Sequence, residues 1–295
     1  MNDVSKNYSP IEVPDGHVSG FVSLVGRPNV GKSTLLNTFF EKKITIVSDK
    51  PQTTRTEIRG VLTGPKFQIV FCDTHGIHKP RTLLGARWND TARFTLKEID
   101  LVLFLVEADS IIGKGDKFIA KSLPPEKTVL VLNKIDKVKS GRILTQLNEA
   151  SEFSFTEYFP ISASTGEGVS KLLEYVKTKL IPGPRYFPED METDFSESFW
   201  VAELVREQLL LEVREELPHS IATRVTEWDW PHIRCEILVE RNSQKGIVIG
   251  HKGEVLKKVG TEVRKQLADG AFIELVVKVE KNWQKHPRSL DRFGY

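Results

Sequence analysis

Gly26-Arg27-Pro28-Asn29-Val30-Gly31-Lys32-Ser33 is the stretch on which the reading of this sequence turns. Before it runs Phe21-Val22-Ser23-Leu24-Val25, a short apolar segment of β-formers. After it runs Thr34-Leu35-Leu36-Asn37-Thr38-Phe39-Phe40, with helical character. A G-x-x-x-x-G-K-[ST] pattern between a strand and a helix has the context of a phosphate-binding loop. The glycines let the backbone wrap closely around an anion, and the amides and positive helix end then face a phosphate. Lys32 reaches the β and γ oxygens as a point charge, and the Ser33 hydroxyl helps hold Mg2+, with Thr34 next in the nucleotide-binding set. The competing reading is a chance match in a glycine-containing turn, and the flanking elements argue against it.

Outward from this loop, composition sets limits. A chain of 295 residues is long for one ordinary domain, so two are expected. Hydrophobic content of 39% beside 28% charged residues describes a globular protein with real cores. The net charge of +2 announces no nucleic-acid binder, so any basic surface has to be local. Cys72 and Cys235 both lie in apolar segments, where a buried thiol is the ordinary state. They suggest neither a disulfide framework nor a zinc site, and a reducing compartment is expected. Met1 to Gly16 is polar with no apolar signal core, and no apolar run is long enough to span a membrane.

Past the loop, strands and helices alternate. Lys42 to Thr56 reads as a loop, and Glu57–Leu62 with Phe67–Cys72 as a strand pair about Gly64-Pro65. Leu83–Glu98 is a candidate helix. Leu101–Val106 and Thr128–Leu132 are unbroken apolar runs, as expected of strands buried on both faces. Asp116–Lys121, Ile143–Phe153 and Val169–Leu180 read as helices, and Tyr158–Ile161 as a further strand. The fold class is α/β, a doubly wound, mostly parallel sheet, whose ligands bind at the carboxyl ends of the strands.

The polar clusters fall at those ends: the phosphate loop, Asp73-Thr74-His75-Gly76, Asn133-Lys134-Ile135-Asp136 and Ser162-Ala163-Ser164. Asp73 can hold the metal through water, and Gly76 offers a backbone N–H to the γ-phosphate and a pivot when that phosphate leaves. The Asp136 carboxylate can accept two N–H groups from a guanine edge, a pattern adenine lacks, which disfavours an ATPase. Asn133 and Lys134 support that loop and cover the base. Each signal is weak alone; four in order on successive strand ends are strong together.

This set resembles the guanine-nucleotide motifs of the translation-factor-like GTPases, and among them the Era family. Asn29 in the loop, Gln52-Thr53-Thr54-Arg55 in the first switch and His78 after Gly76 carry that likeness. The resemblance implies a P-loop GTPase domain binding GTP and GDP with Mg2+ held by Ser33, Thr54 and Asp73. It also implies that Thr54, with Thr53 as the alternative, closes over the metal in the GTP state and that Asn29 helps bind K+ beside the phosphates. Thr54, Gly76 and Asn29 are thus the residues expected to act in hydrolysis. Two points depart from common patterns. His75 stands where the family usually has proline, most simply as a turn residue. Ile77 follows Gly76 where Ras-like proteins use glutamine to orient water, so slow intrinsic hydrolysis is expected.

Ile181–Asp190, with three prolines and a glycine, suits a semi-rigid connector. The expected division is a polar tail over 1–17, the GTPase domain over 18–182, a linker over 183–197 and a second domain with its tail over 198–295. In that second part, Phe199–Leu217 reads as a helix stopped by Pro218. Ala222–Glu227 and Ile233–Glu240 read as strands about Trp228-Asp229-Trp230-Pro231, followed by a helix over Glu254–Leu267 and a strand over Phe272–Val279. Ile249-Gly250-His251-Lys252-Gly253 resembles the G-x-x-G loop of KH domains, and the element order resembles the α+β type II form. Lys245, Lys252, Lys257, Lys258, Arg264 and Lys265 outnumber Glu254 and Glu262 around it, a local +4 that suits a phosphate backbone but also suits a solvated helix face. Ile249 to Gly253, Lys245, Lys257 and Trp283 are the candidate RNA-binding residues. For Trp283, stacking on a base competes with ordinary packing over a helix.

In Era-like proteins this groove and the tail hold the single-stranded 3′ end of small-subunit ribosomal RNA. The expectation is therefore a monomeric, cytoplasmic GTP-operated switch in assembly of the 30S subunit; the resemblance allows a peripheral contact with the inner face of the cell membrane. The alternative is a GTPase scaffold in tRNA modification or cell-cycle signalling whose second domain binds protein.

Overall fold

The computed structural model describes residues 14–48, 50, 58–73, 99–213, 217–286 and 289. Thr53, Thr54, Thr74, His75, Gly76, Ile77 and the helix expected over 83–98 lie outside them.

The N-terminal unit is built on a sheet ordered β2-β3-β1-β4-β5-β6. Its strands are β1 (Val18–Gly26), β2 (Ile58–Gly64), β3 (Phe67–Asp73), β4 (Leu101–Glu107), β5 (Thr128–Asn133) and β6 (Glu157–Pro160). All neighbours are parallel except β2 against β3, the strand pair expected about Gly64-Pro65. Helices α1 (Lys32–Phe40), α2 (Lys114–Ala120), α3 (Ser140–Ala150) and α4 (Val169–Lys179) supply the crossovers. Every residue of Leu101–Val106 and of Thr128–Asn133 is buried. That is why these strands read as unbroken apolar runs: one face feeds the core around Leu103, Leu105 and Val131, the other the core around Val102, Phe104 and Leu130. β1 lies between β3 and β4, so the chain reverses its direction of winding at the end of β1, where such sheets bind ligands.

The proline-rich segment is not a spacer. Ile181–Pro182 forms β7, antiparallel to the start of β1. Fully buried Gln68 on β3 then imitates a strand: its Oε1 accepts the Tyr186 and Phe187 amides at 2.7 and 3.0 Å, and its Nε2 donates to the Phe187 carbonyl at 2.9 Å. Farther on, the Val61 amide donates to the Glu192 carbonyl at 2.9 Å and Gly60 bridges Thr193. The connector is therefore strapped across the first unit as far as Thr193.

The second unit begins with α5 (Glu197–Glu212), capped by the Ser196 hydroxyl, which accepts the Phe199 amide at 3.2 Å. This helix ends at Glu212 rather than at Leu217. Pro218 lies in the short helix α6 (Leu217–Ser220), whose first turn tolerates proline. Strands β8 (Ala222–Asp229) and β9 (His232–Val239) pair antiparallel about a turn at Trp230-Pro231, narrower than expected. Helices α7 (Asn242–Ile249) and α8 (Glu254–Arg264) follow, and β10 (Phe272–Val279) joins β9 in parallel. The helices cover one face of this sheet around Ile233, Cys235, Ile237 and Val259. Burial pushes the Cys235 thiol up to about 12, so it stays an inert core thiol.

On the opposite face Glu236 ties the three strands together, pairing with Arg224 of β8 at 2.6 Å and Lys278 of β10 at 2.5 Å. Burial alone works to raise the Glu236 pKa, but the hydrogen bonds from Lys278 and Arg224 prevail and hold it below its ordinary value. A depressed carboxyl contributes stability above its unfolded pKa and loses it as the pH falls through the folded one. Stability of this unit should therefore fall on acidification below about pH 4.5. Glu236→Gln should flatten that fall and cost about 1 kcal/mol at neutral pH. Four of the five tryptophans lie beyond residue 198, so urea midpoints read by tryptophan emission across pH check this; an unchanged acid limb would contradict it.

Candidate functional site

The loop after β1 is shaped by its backbone. Asn29 has φ 66° and Gly31 φ 99°, and a Cβ on Gly31 would sit 2.2 Å from Asn133 Nδ2. Glycine is required there because the neighbouring strand end presses against it. Gly31 is the N-cap of α1 and has no side chain to cap it, which leaves the helix start open to an anion. Lys32 Nζ folds over the loop and donates to the Gly26 and Arg27 carbonyls, each at 3.1 Å. Val30 is buried, while Pro28 and Asn29 are exposed at the rim. Ser33 and Thr34 stand half-buried in the first turn. An ammonium, a hydroxyl and a helix start fit a phosphate chain whose magnesium takes one protein hydroxyl. Asp73 closes β3, in register with Leu24 of β1.

The Asn133–Asp136 segment is tied to the phosphate loop by side chains. Asn133 Nδ2 donates to the Val30 carbonyl at 2.8 Å, while its Oδ1 accepts the Ala163 amide at 2.9 Å. One buried amide thus holds three clusters that are far apart in sequence. Lys134, at φ 66°, donates from Nζ to the Asn29 carbonyl at 2.8 Å. Ile135 is buried, and its amide donates to the Ile161 carbonyl at 3.2 Å. Asp136 is exposed beside it and makes no hydrogen bond among the described residues. The Ser162 and Ser164 hydroxyls lie 3.1 Å apart, and the Ala163 carbonyl accepts from Thr38 of α1 at 2.6 Å. Every expected cluster that is described therefore meets at one end of the sheet.

In the second unit, α7 and α8 meet at the G-x-x-G loop. Gly250 has φ 76°, and a Cβ there would lie 2.6 Å from Val255 Cγ2 and 2.9 Å from its amide nitrogen. Lys252 takes φ 49° and Gly253 φ 82°, so the turn projects His251 and Lys252 into solvent. Lys258 and Lys265 are paired with Glu212 and Glu262; Lys245, Lys252 and Lys257 make no ion pair among the described residues. Ile249 is half-buried, whereas Ile247, which the sequence pattern did not single out, is 57% exposed one turn before the loop. Trp283 must be corrected. It is fully buried, and its indole N–H donates to the Ser220 carbonyl at 2.9 Å, so its ring packs in the core and presents no face to a base.

The two units meet at the loop that leads into the first-switch segment. Asn37 of α1 shapes it: Oδ1 accepts the Ile44 and Thr45 amides at 2.9 and 3.0 Å, and Nδ2 donates to the Thr45 carbonyl at 2.9 Å. On its far side Glu207 of α5 accepts the Val47 amide at 3.0 Å and pairs with Lys43. Lys43 also donates to Gln266 Oε1, beyond α8, at 2.6 Å. A lone glutamate on a charged helix gives no sequence signal for this role.

Known proteins agree with this geometry. The family model described as a 50S ribosome-binding GTPase matches residues 21–134, and the KH domain model matches residues 216–284. A crystal structure of Era in complex with MgGDPNP and nucleotides 1506-1542 of 16S ribosomal RNA is 36% identical. It covers 95% of this chain and 99% of its own, at a TM-score of 0.90. A variant of Era from Aquifex aeolicus bound to GDP.AlF4- is likewise 36% identical, covering 94% and 99%, at 0.89. This chain belongs to the Era family. It is a GTP-hydrolysing P-loop enzyme followed by a KH domain. Among the described residues no helix is long and apolar enough to cross a membrane.

Within this Era-family chain, Asp136 stands exposed at the sheet end where Asn133 and Ser162 to Ser164 converge, and the guanine assignment made from the sequence can be tested there. Asp136→Asn should lower GTP affinity about 100-fold or more while gaining xanthosine triphosphate, whose edge offers an acceptor instead. Competition binding with both nucleotides checks this, and unchanged GTP affinity would refute the guanine assignment.

Proposed function

We propose that this protein is a GTP-operated switch whose KH unit grips the single-stranded 3′ end of small-subunit ribosomal RNA during assembly of the 30S subunit. One observation carries the coupling: Glu207 of the KH unit holds the Val47 amide, in a loop that Asn37 fixes to the helix of the phosphate loop. When GTP and Mg2+ draw Thr54 and Gly76 inward, this loop moves with the first switch, and Glu207 carries the displacement into α5. Ser33, Thr54 and Asp73 hold the metal, and the phosphate loop holds the phosphates. Asn133 to Asp136 with Ser162 to Ser164 hold the base.

RNA gripping is assigned to Ile249 to Gly253, Lys245 and Lys257, with Ile247 added as an exposed apolar contact for bases. The loop's close backbone and the unpaired lysines support an RNA ligand over a protein one. The GTPase unit is taken as residues 18–193, longer than the expected 18–182 because it includes the strap, and the second unit as residues 198–295. Asn29 serves as a potassium ligand beside the phosphates, compensating for Ile77, which cannot orient water. The protein works as a cytoplasmic monomer with peripheral contact at the membrane's inner face.

The test is binding of a fluorescent single-stranded oligonucleotide of the 16S 3′ end to the full chain, loaded with GDP or a non-hydrolysable GTP analogue. The two states should differ in RNA affinity by about 5-fold or more. Glu207→Gln should bring that ratio toward one while nucleotide affinity stays unchanged. No RNA binding at low salt in either state, or a ratio untouched by Glu207→Gln, would overturn the proposal.

A further inference from the structure

At the end of β4 stands a carboxylate that no nucleotide motif includes. Glu107 is mostly buried between two cations drawn from different loops. Its Oε1 pairs with Lys134 of the guanine-side loop. Its Oε2 accepts from the Ser110 hydroxyl at 3.3 Å and lies 3.9 Å from Arg27 Nη2 of the phosphate loop. Arg27 is anchored separately: its Nε donates to Oδ1 of fully buried Asp116 at 2.7 Å, and that carboxylate's other oxygen accepts the Gly113 amide at 2.9 Å. Lys134 in turn donates to the Asn29 carbonyl, two residues past Arg27. The contacts close a ring: Arg27, Glu107, Lys134, Asn29 and back along the loop to Arg27.

The two cations depend on Glu107 unequally. Arg27 keeps Asp116 and the Ser110 hydroxyl if Glu107 is neutralised. Among the described residues Lys134 keeps only the Asn29 carbonyl, and its long stem regains its rotamers. Lys134 lies two residues from Asp136, so its stem borders the place where a guanine ring would rest. We propose that Glu107 is a positioning residue for nucleotide retention: it holds the Lys134 stem across the guanine face and ties that stem to the phosphate loop. This rests on the reading of the site as a guanine-nucleotide site. Its ligand is the purine base, which GTP and GDP share.

The experiment is the dissociation rate of a fluorescent GDP from the full chain, as wild type, Glu107→Gln, Glu107→Asp, Lys134→Ala and the Glu107→Gln/Lys134→Ala pair. Glu107→Gln should release GDP about tenfold faster. Glu107→Asp, which keeps the charge, should fall between it and wild type. In the Lys134→Ala background Glu107→Gln should add nothing, because the group through which it acts is gone. Thermal melts of the nucleotide-free variants should match wild type. Unchanged release by Glu107→Gln, or fully additive effects in the pair, would overturn the assignment and leave the nucleotide site standing. Failure of the wild type to retain GDP at all would instead overturn the site reading beneath it.

Discussion

The structure depends on the side-chain amide of Asn133. Buried at the end of β5, it bonds the Val30 carbonyl on one side and the Ala163 amide on the other. The three loops it joins follow different strands, and it works beside the Lys134 bond to the Asn29 carbonyl and the Ile135 bond to the Ile161 carbonyl in keeping them in register. Buried polar groups left unmatched cost more than matched ones gain, so this pair of bonds specifies one arrangement rather than merely adding stability. Gly31 follows from it: the approach that permits the bond leaves no room for a Cβ. The phosphate loop and the Asn133–Asp136 segment are thus two ends of one constraint.

The same logic extends outward through polar contacts rather than through the cores. Glu107 ties that segment back to Arg27, and Asn37 ties α1 to the loop before the first switch. Glu207 ties that loop to the second unit. The apolar cores are separate, two about the first sheet and one in the KH unit. Among the described residues the units are joined by hydrogen bonds at that loop and by Phe195, which packs on the first core and meets Phe199 of α5 at 4.6 Å between ring centroids. Such contacts rearrange more readily than packed cores, which suits a junction that has to change with the nucleotide.

Much of this was legible in the sequence. The strands Leu101–Val106 and Thr128–Leu132 declared themselves as doubly buried because both faces demand apolar residues. The phosphate loop, Asn133 to Asp136 and Ser162 to Ser164 were legible because each follows a strand end. The β10 boundaries matched because Gly270 and the alternation of Phe272 to Val279 leave little freedom. The end of α5 did not: Pro218 looked like a stop, yet the chain had already turned at Val213, and proline began a new turn. The prolines after Ile181 read as a spacer, because nothing in that segment reveals that Gln68, more than a hundred residues away, offers it a false strand. For Trp283 the sequence left stacking and packing in competition, and the bond to the buried Ser220 carbonyl decides for packing. Glu107 and Glu207 were invisible, since a single carboxylate acquires its meaning from partners that only folding brings near.

The claim at the centre of this account is that nucleotide state reaches the KH unit through residues 43–47 and Glu207. Hydrogen exchange of the wild-type chain, compared between GDP and a non-hydrolysable GTP analogue, tests it most directly. The account predicts that protection of residues 43–48 and of helix Glu197–Glu212 changes together. A change confined to residues 43–48, with the helix equally protected in both states, would contradict it.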